Sequence, residues 1–254
     1  MWEVTGPRGT VARGTEGNRS MRSITVTMWV TLDGVVQGLG RPDEDTRGGF
    51  THGGWGRRYD DEVMGREMAK GMAKPGDMLF GRRTWQDFTT AWGRSTDGNP
   101  ITTHMNAAAK YVVSRTLADA DAWQNSILLR GDAAGTVAGL KDQPGRDLSI
   151  IGSASLVRSL HAVGLIDRYT LLICPLTLGT GARLFEGPAP LTEFELTSSV
   201  TTTKGVIIAQ YTRRSGRVLF LTARSRRNAS WPAASRSPIR STSARPRCRS
   251  PSSS

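Results

Sequence analysis

The chain has 254 residues, with 34 Lys and Arg against 22 Asp and Glu, a formal net charge of +12 and 37% hydrophobic residues. Two cysteines exclude a disulfide framework, and three scattered histidines exclude the usual zinc-ligand spacing. No stretch reaches the roughly 18 uninterrupted apolar residues that a membrane span needs, and the N-terminus lacks the apolar run of a secretory signal. We therefore expect a cytoplasmic protein with no bound metal and no membrane partner.

The excess positive charge lies at the C-terminus. Residues 212–254 contain 11 Arg and no acidic residue, whereas residues 21–211 carry equal numbers of basic and acidic side chains. The tail from 214 to 254, rich in Arg and Ser, and the Gly-rich residues 1–20 are predicted to be disordered, since both are poor in apolar residues. The tail fits either a nucleic-acid-binding arm or an extended reading frame past a stop near Arg214. Because aromatic residues are not interleaved with its arginines, we expect no nucleic-acid partner.

From residue 21 onward, about 190 residues carry strand and helix patterns, enough for one domain with a sizeable core. Residues 22–30 alternate as a strand does, and a loop with seven glycines follows from Asp33 to about Trp55. We interpret this loop as a mobile lid. Next, Met64, Met68 and Met72 have helical spacing, which predicts a helix whose methionines fill the core.

Strands and helices then alternate to the end of the domain. Further strands are predicted at 77–80, 110–115, 126–130, 147–151 and 169–175, and an antiparallel pair at 193–200 and 205–211. Helices are predicted to start near Trp85, after the N-cap Asp132, and at Gly152, the last ending at Gly164. The sequence thus predicts an α/β three-layer domain over residues 21–213, with a mostly parallel central sheet and an antiparallel C-terminal hairpin.

In such a sheet, ligands bind where the strands end and helix N-termini offer unpaired N–H groups. Arginines beside hydroxyl residues have the composition of a phosphate pocket, and glycines let the backbone approach a pyrophosphate closely. The candidate cofactor-binding residues at these strand ends are Gly81, Arg82, Arg83, Thr84, Ser114, Arg115, Gly152, Ser153, Ala154 and Ser155. No G-x-G-x-x-G follows the first strand, so the ordinary dinucleotide fingerprint is missing.

Three further residues are candidates for the substrate side, each with a structural alternative. Asp33 follows the first strand and is the candidate catalytic residue, orienting a polar heterocycle, or it stabilises its own turn. Trp55 covers the substrate or anchors its loop to the core. Asp61 binds substrate or is simply an acidic residue favoured by the dipole at a helix start.

Six segments in a fixed order carry a resemblance to a known family. They are Thr31–Gly34, Phe80–Trp85, Val112–Leu117, Ile151–Leu156, Gly164–Tyr169 and Pro175–Phe185. Over residues 21–213 the chain resembles the dihydrofolate-reductase-like superfamily, and within it the reductase domain of riboflavin biosynthesis and its stand-alone relatives. The last segment, with Gly-x-Gly-x-x-Leu-Phe after a strand ending in Pro, is the most specific.

The resemblance implies an NADPH-dependent reductase of a small heterocycle, such as 5-amino-6-(5-phosphoribosylamino)uracil or dihydrofolate, acting as a homodimer. It places residues 81–84 and 114–115 at the adenosine phosphates and residues 152–155 at the pyrophosphate. Two departures stand out: Ser153 replaces the second glycine of a Gly-Gly pair, and three acids replace the single acid of the first helix of dihydrofolate reductases. A non-catalytic nucleotide-binding module of the same fold is the alternative.

Overall fold

The computed structural model describes residues 21–74 and 76–214, so the segments predicted to be disordered, 1–20 and the tail beyond Arg214, lie outside the described residues. The strands are β1 (Ile24–Thr31), β2 (Asp77–Gly81), β3 (Lys110–Val113), β4 (Ser126–Leu129), β5 (Leu148–Ile151), β6 (Arg168–Cys174), β7 (Phe194–Thr201) and β8 (Ile207–Arg213). The helices are α1 (Glu62–Met72), α2 (Arg82–Trp92), α3 (Pro100–Ala107), α4 (Ala133–Lys141) and α5 (Ala154–Ala162). Within the described residues, no helix is long and apolar enough to cross a membrane.

The eight strands form one sheet in the order β4-β3-β2-β5-β1-β6-β8-β7. The first six pair in parallel, while β8 runs antiparallel to β6 and to β7. This confirms the predicted mostly parallel sheet with its C-terminal hairpin. Since β2 and β5 are neighbours, the turns that follow them meet at one edge of the sheet.

Burial along the strands follows the pattern that the sequence shows. In β1 every second residue is buried, whereas Asp77 to Phe80 of β2 are buried throughout, as in a strand covered on both faces. Helix ends also follow their local signals. Asp132 caps α4 by accepting from the Gly135 N–H, and Gly164, which follows α5, has the left-handed backbone conformation with φ 69°.

Two ion pairs lie at the N-terminal edge of the sheet, one buried and one partly buried. Arg22 is 2% exposed, and its guanidinium lies 2.5 Å from the Asp77 carboxylate at the start of β2. Lys141 likewise lies 2.5 Å from Asp167, which also accepts from the Ile24 N–H. These ion pairs join the chain before β1 to β2, and α4 to the residue before β6.

Three features differ from the prediction. Helix α2 starts at Arg82 and not near Trp85, so the predicted turn residues 82–84 form its first turn. Helix α3 was not predicted, although Asn99 caps it and Pro100 occupies its first position. The loop after β1, interpreted as a mobile lid, is instead bonded along its length. The buried Gln37 side chain donates to Asp45 and accepts from the Ala182 N–H, so the loop is tied both to itself and to the segment after β6.

Candidate cofactor and substrate site

A cavity of about 1170 Å³ opens at the carboxyl ends of the strands. It lies among the loop residues 36–48, the helices α1, α2 and α3, and the start of α5. One end is polar and is formed by the turns after β2 and β5. The other end is largely apolar and is lined by Met28, Met64, Met68, Met72, Phe88, Trp92, Ile101 and Met105.

The polar end brings together two of the three predicted phosphate-binding segments, Gly81–Thr84 and Gly152–Ser155, all of which line the cavity. The two turns are hydrogen-bonded to each other. The Gly81 N–H donates to Ser153 Oγ at 3.0 Å, and the Ser153 N–H donates to Thr84 Oγ1 at 3.1 Å. The turns after β2 and β5 therefore form one unit.

The helices that start at this unit differ from the others in their capping. Helices α1, α3 and α4 begin with a side-chain cap, from Asp61, Asn99 and Asp132 respectively. Helices α2 and α5 have neither a side-chain cap nor an acidic residue in the first turn. Since first-turn residues of both helices line the cavity, their N–H groups and partial positive charge suit an anionic group there.

Gly152 and Ser153 let the backbone of the turn after β5 pass close to Thr84. Both are left-handed, with φ of 72° and 59°, and a Cβ on Gly152 would lie 3.2 Å from Thr84 Cγ2. A left-handed serine is strained, since L-residues other than Asn and Asp seldom adopt this conformation. The bond that Ser153 Oγ accepts from Gly81 is one that a glycine could not make, and it offsets part of that strain.

Ser114 and Arg115 lie next to this unit without lining the cavity. Gly81 pairs with Val113 in the β2–β3 ladder, so Ser114 follows directly at the neighbouring position of the same sheet edge. Ser114 Oγ accepts from the Thr116 and Leu117 N–H groups and shapes the turn, while Arg115 is exposed. Their role in binding adenosine phosphates stays a prediction.

Asp33 does not line the cavity. Its carboxylate accepts from Thr31 Oγ1 at 2.5 Å and from the Gly179 N–H at 2.8 Å. The hydrogen bond from Thr31, followed by those from the backbone of Gly179 and Leu178, holds the pKa of Asp33 below its usual value. This geometry favours the turn-stabilising alternative over a catalytic role.

Trp55 and Asp61 have different positions. Trp55 is 4% exposed, donates from Nε1 to the Gln37 carbonyl at 2.7 Å, and does not line the cavity, so it anchors the loop instead of covering a ligand. Asp61 does line the cavity. Its carboxylate accepts from the Met64 N–H at 2.8 Å and from Thr203 Oγ1 at 2.7 Å, so it caps α1 and attaches it to the β7–β8 turn.

Several lining residues were not predicted from the sequence. All three methionines of α1 that were assigned to core filling, Met64, Met68 and Met72, line the cavity, and Met64 is also buried as expected. Helix α2 contributes a whole stripe at positions i, i+3, i+4, i+7 and i+8, namely Thr84, Asp87, Phe88, Ala91 and Trp92. This helical spacing starting from the predicted Thr84 is a signal that could have identified them.

The fold and the paired turns define a dihydrofolate-reductase-like α/β domain. Residues 22–208 match the model of the RibD C-terminal domain, and the chain belongs to that family. It is 27% identical to the uncharacterized protein YyaP of Bacillus subtilis over 205 residues, which cover 76% of this chain and 96% of the relative.

Solved structures show the same fold. A putative riboflavin biosynthesis protein from Shewanella sp. PV-4 matches with a TM-score of 0.54 and 16% identity, over 76% of this chain and 99% of that one. A pyrimidine reductase-like protein from Corynebacterium diphtheriae matches with a TM-score of 0.54 and 12% identity, over 77% and 93%. Dihydrofolate reductase from Enterococcus faecalis, complexed with NADP(H) and RAB-propyl, matches with a TM-score of 0.50 and 12% identity, over 75% and 96%.

Proposed function

We propose that the protein is an NADPH-dependent reductase of a small heterocyclic substrate. The observation that carries this proposal is a single cavity with two uncapped helix N-termini at one end and an apolar surface at the other. Its volume of about 1170 Å³ exceeds the roughly 300–1,000 Å³ of a pocket for one drug-sized ligand. It therefore offers room for a dinucleotide and a second small molecule.

The residues at the polar end fit the phosphates of such a cofactor. Gly152 lets the backbone come close, and the α5 N-terminus would hold the pyrophosphate through Ala154 and Ser155 N–H groups. Arg82 and Arg83 at the start of α2, with Arg115 beside them, would bind the 2′-phosphate that distinguishes NADPH from NADH.

NADPH, when bound, supplies a hydride from its nicotinamide ring. The protein's own contribution is then to orient the acceptor ring and to exclude water. Met64, Met68, Phe88 and Trp92 provide flat and adaptable apolar surface for a planar ring. A pyrimidine or pteridine derivative suits this surface, in keeping with the reductase names of the solved neighbours.

Thermal unfolding in the presence of NADPH tests the cofactor half of the proposal. At about 100 times its dissociation constant, NADPH should add roughly 2.7 kcal/mol to the free energy of unfolding. NADPH oxidation with a panel of pyrimidines and pteridines, including the pyrimidine of riboflavin biosynthesis and dihydrofolate, tests the reaction. No stabilisation at millimolar NADPH would contradict the proposal.

A non-catalytic nucleotide-binding module is the second candidate, and one observation favours it. Asp33, the residue predicted to be catalytic, is fully engaged in its turn and does not line the cavity. This candidate predicts NADPH binding without oxidation of the cofactor by any pyrimidine or pteridine in the panel. Turnover with any one of them would exclude it.

A further inference from the structure

Asp87 lies in the middle of the cavity stripe of α2, one turn beyond the phosphate-binding start of the helix. The loop segment 41–47 lines the same cavity, and the charges of Glu44, Arg41, Asp45 and Arg47 act on the Asp87 carboxylate. Phe88 and Trp92, on the same face of α2, continue the cavity wall toward its apolar end. Asp87 thus directly precedes Phe88, the first aromatic residue of the α2 cavity wall.

Four partly buried carboxylates line the cavity in the described part of the chain, and three of them have protein donors. Glu44 accepts from the Gly40 and Arg41 N–H groups, Asp45 from Arg47 and Gln37, and Asp61 from Met64. Asp87 accepts no hydrogen bond from the described residues. Its acceptor capacity is therefore available to a ligand.

The surroundings of Asp87 keep it partly out of water. Burial raises the pKa of Asp87, and the nearby carboxylates Glu44 and Asp45 raise it further, against the opposing effect of Arg41 and Arg47. An acid in a cleft whose pKa is raised by burial and by neighbouring charges is a candidate for a ligand-binding or catalytic position.

The arginines near this part of the cavity do not provide a second phosphate site. Arg47 is paired with Asp45, and Arg41 lies 3.7 Å from Asp43. Arg158 donates to the Arg183 carbonyl and lies 3.2 Å from Glu186. Because Arg47 and Arg158 are paired and the Asp87 carboxylate is not, the unpaired negative charge of Asp87 disfavours a second anionic ligand beside it.

We propose that Asp87 binds N–H donors of the substrate and makes the cavity select a neutral or cationic planar heterocycle over a phosphorylated one. This inference rests on the proposed function, because it assigns the apolar end of the cavity to the substrate. Amino and ring N–H groups would donate to the Asp87 carboxylate while the ring packs against Phe88, Trp92 and the methionines of α1.

Two probes, one unphosphorylated and one phosphorylated, test this selectivity in the full chain saturated with NADPH. We expect 2,4-diaminopyrimidine to bind at least tenfold more tightly than uridine 5′-monophosphate, measured by calorimetry. Tighter binding of the phosphorylated probe, or no binding of the diaminopyrimidine at millimolar concentration, would overturn the inference. If NADPH itself fails to bind, the proposed function fails, and the same titrations without NADPH still test Asp87.

The isosteric variant Asp87→Asn tests the residue directly. It should weaken diaminopyrimidine binding roughly ten- to hundredfold, the range for a hydrogen bond to a charged group, while NADPH affinity stays unchanged and the melting temperature does not fall. Asp121→Asn, which removes an exposed carboxylate away from the cavity lining, is the matched control. Equal diaminopyrimidine affinity in the Asp87→Asn variant and the wild type would contradict the inference.

Discussion

At the scale of single residues, Ser153 combines strain with a useful hydrogen bond. We expect Ser153→Ala to lower the free energy of unfolding by about 1 kcal/mol, because the bond from the Gly81 N–H is lost. Ser153→Gly loses the same bond but relieves the left-handed strain, worth roughly 1 kcal/mol, and should resemble the wild type. Urea unfolding of the three proteins measures this order. Equal stability of the alanine and glycine variants would show that the conformation carries no strain.

The arginines at the start of α2 provide a prediction about cofactor choice. Replacing Arg82 and Arg83 together by Gln should raise the dissociation constant of NADPH at least tenfold, because charge-assisted contacts to its 2′-phosphate are lost. NADH lacks that phosphate, so its affinity should not change. Arg94→Gln, at an exposed arginine outside the cavity lining, is the control. An equal loss of NADH affinity would show that the two arginines bind a part of the cofactor that NADH and NADPH share, and not the 2′-phosphate.

At the scale of elements, Asp61 holds the start of α1 against the β7–β8 turn. The hydrogen bond from the Met64 N–H, with further bonds from Thr203 and Lys204, holds the pKa of Asp61 below its ordinary value of 3.8. A carboxyl group whose pKa is lower in the folded state stabilises the fold above its unfolded pKa and loses this contribution as the pH falls.

We therefore expect the wild type to lose more stability than Asp61→Asn when the pH is lowered from about 6 to about 3. Asparagine is also a good N-cap, so the variant isolates the charge from the capping itself. Urea unfolding at both pH values measures the difference between the two proteins. The same pH dependence in both would show that the Asp61 carboxylate is not what attaches α1.

The elements differ in how well the sequence predicts them. Strands β2 and β6 are almost continuous apolar runs, and Asp132 and Gly164 mark helix boundaries by local chemistry, so these were predicted. Helix α3 has only a weak apolar pattern in PITTHMNA and was missed. Its Asn-Pro start was a usable signal that the surrounding polar residues obscured.

The positions of site residues could be predicted only where they follow from the local sequence pattern. The glycines and hydroxyl residues after β2 and β5 were predicted to lie together because strand ends of a parallel sheet meet at one edge, and they line one cavity. Their role in binding phosphate stays a prediction. The position of Asp33 depends on donors at Leu178 and Gly179, about 145 residues away in sequence, and no local pattern predicts such contacts. Asp87 lies on a helix that was predicted, with a start three residues too late, but its lack of a hydrogen-bond partner is visible only in three dimensions.

At the scale of the whole molecule, we propose a homodimer. Strand β7 is the edge of the sheet, and Leu196 on it is 54% exposed, with Leu191 87% and Phe185 53% exposed nearby in sequence. Exposed edge strands with apolar side chains are sites of association. Sedimentation of the full chain should show a dimer, and Leu196→Glu should shift it toward the monomer. A wild type that is monomeric at all concentrations would contradict the proposal.

The central claim is that the paired turns after β2 and β5 bind NADPH. The most direct measurement is a fluorescence titration of the full chain, exciting tryptophan and following energy transfer to the nicotinamide. Trp29 and Trp92 line the cavity, so a bound nicotinamide would lie within transfer range of both. The proposed function requires saturable transfer with NADPH at lower concentration than with NADH. No transfer with either cofactor at millimolar concentration would contradict it.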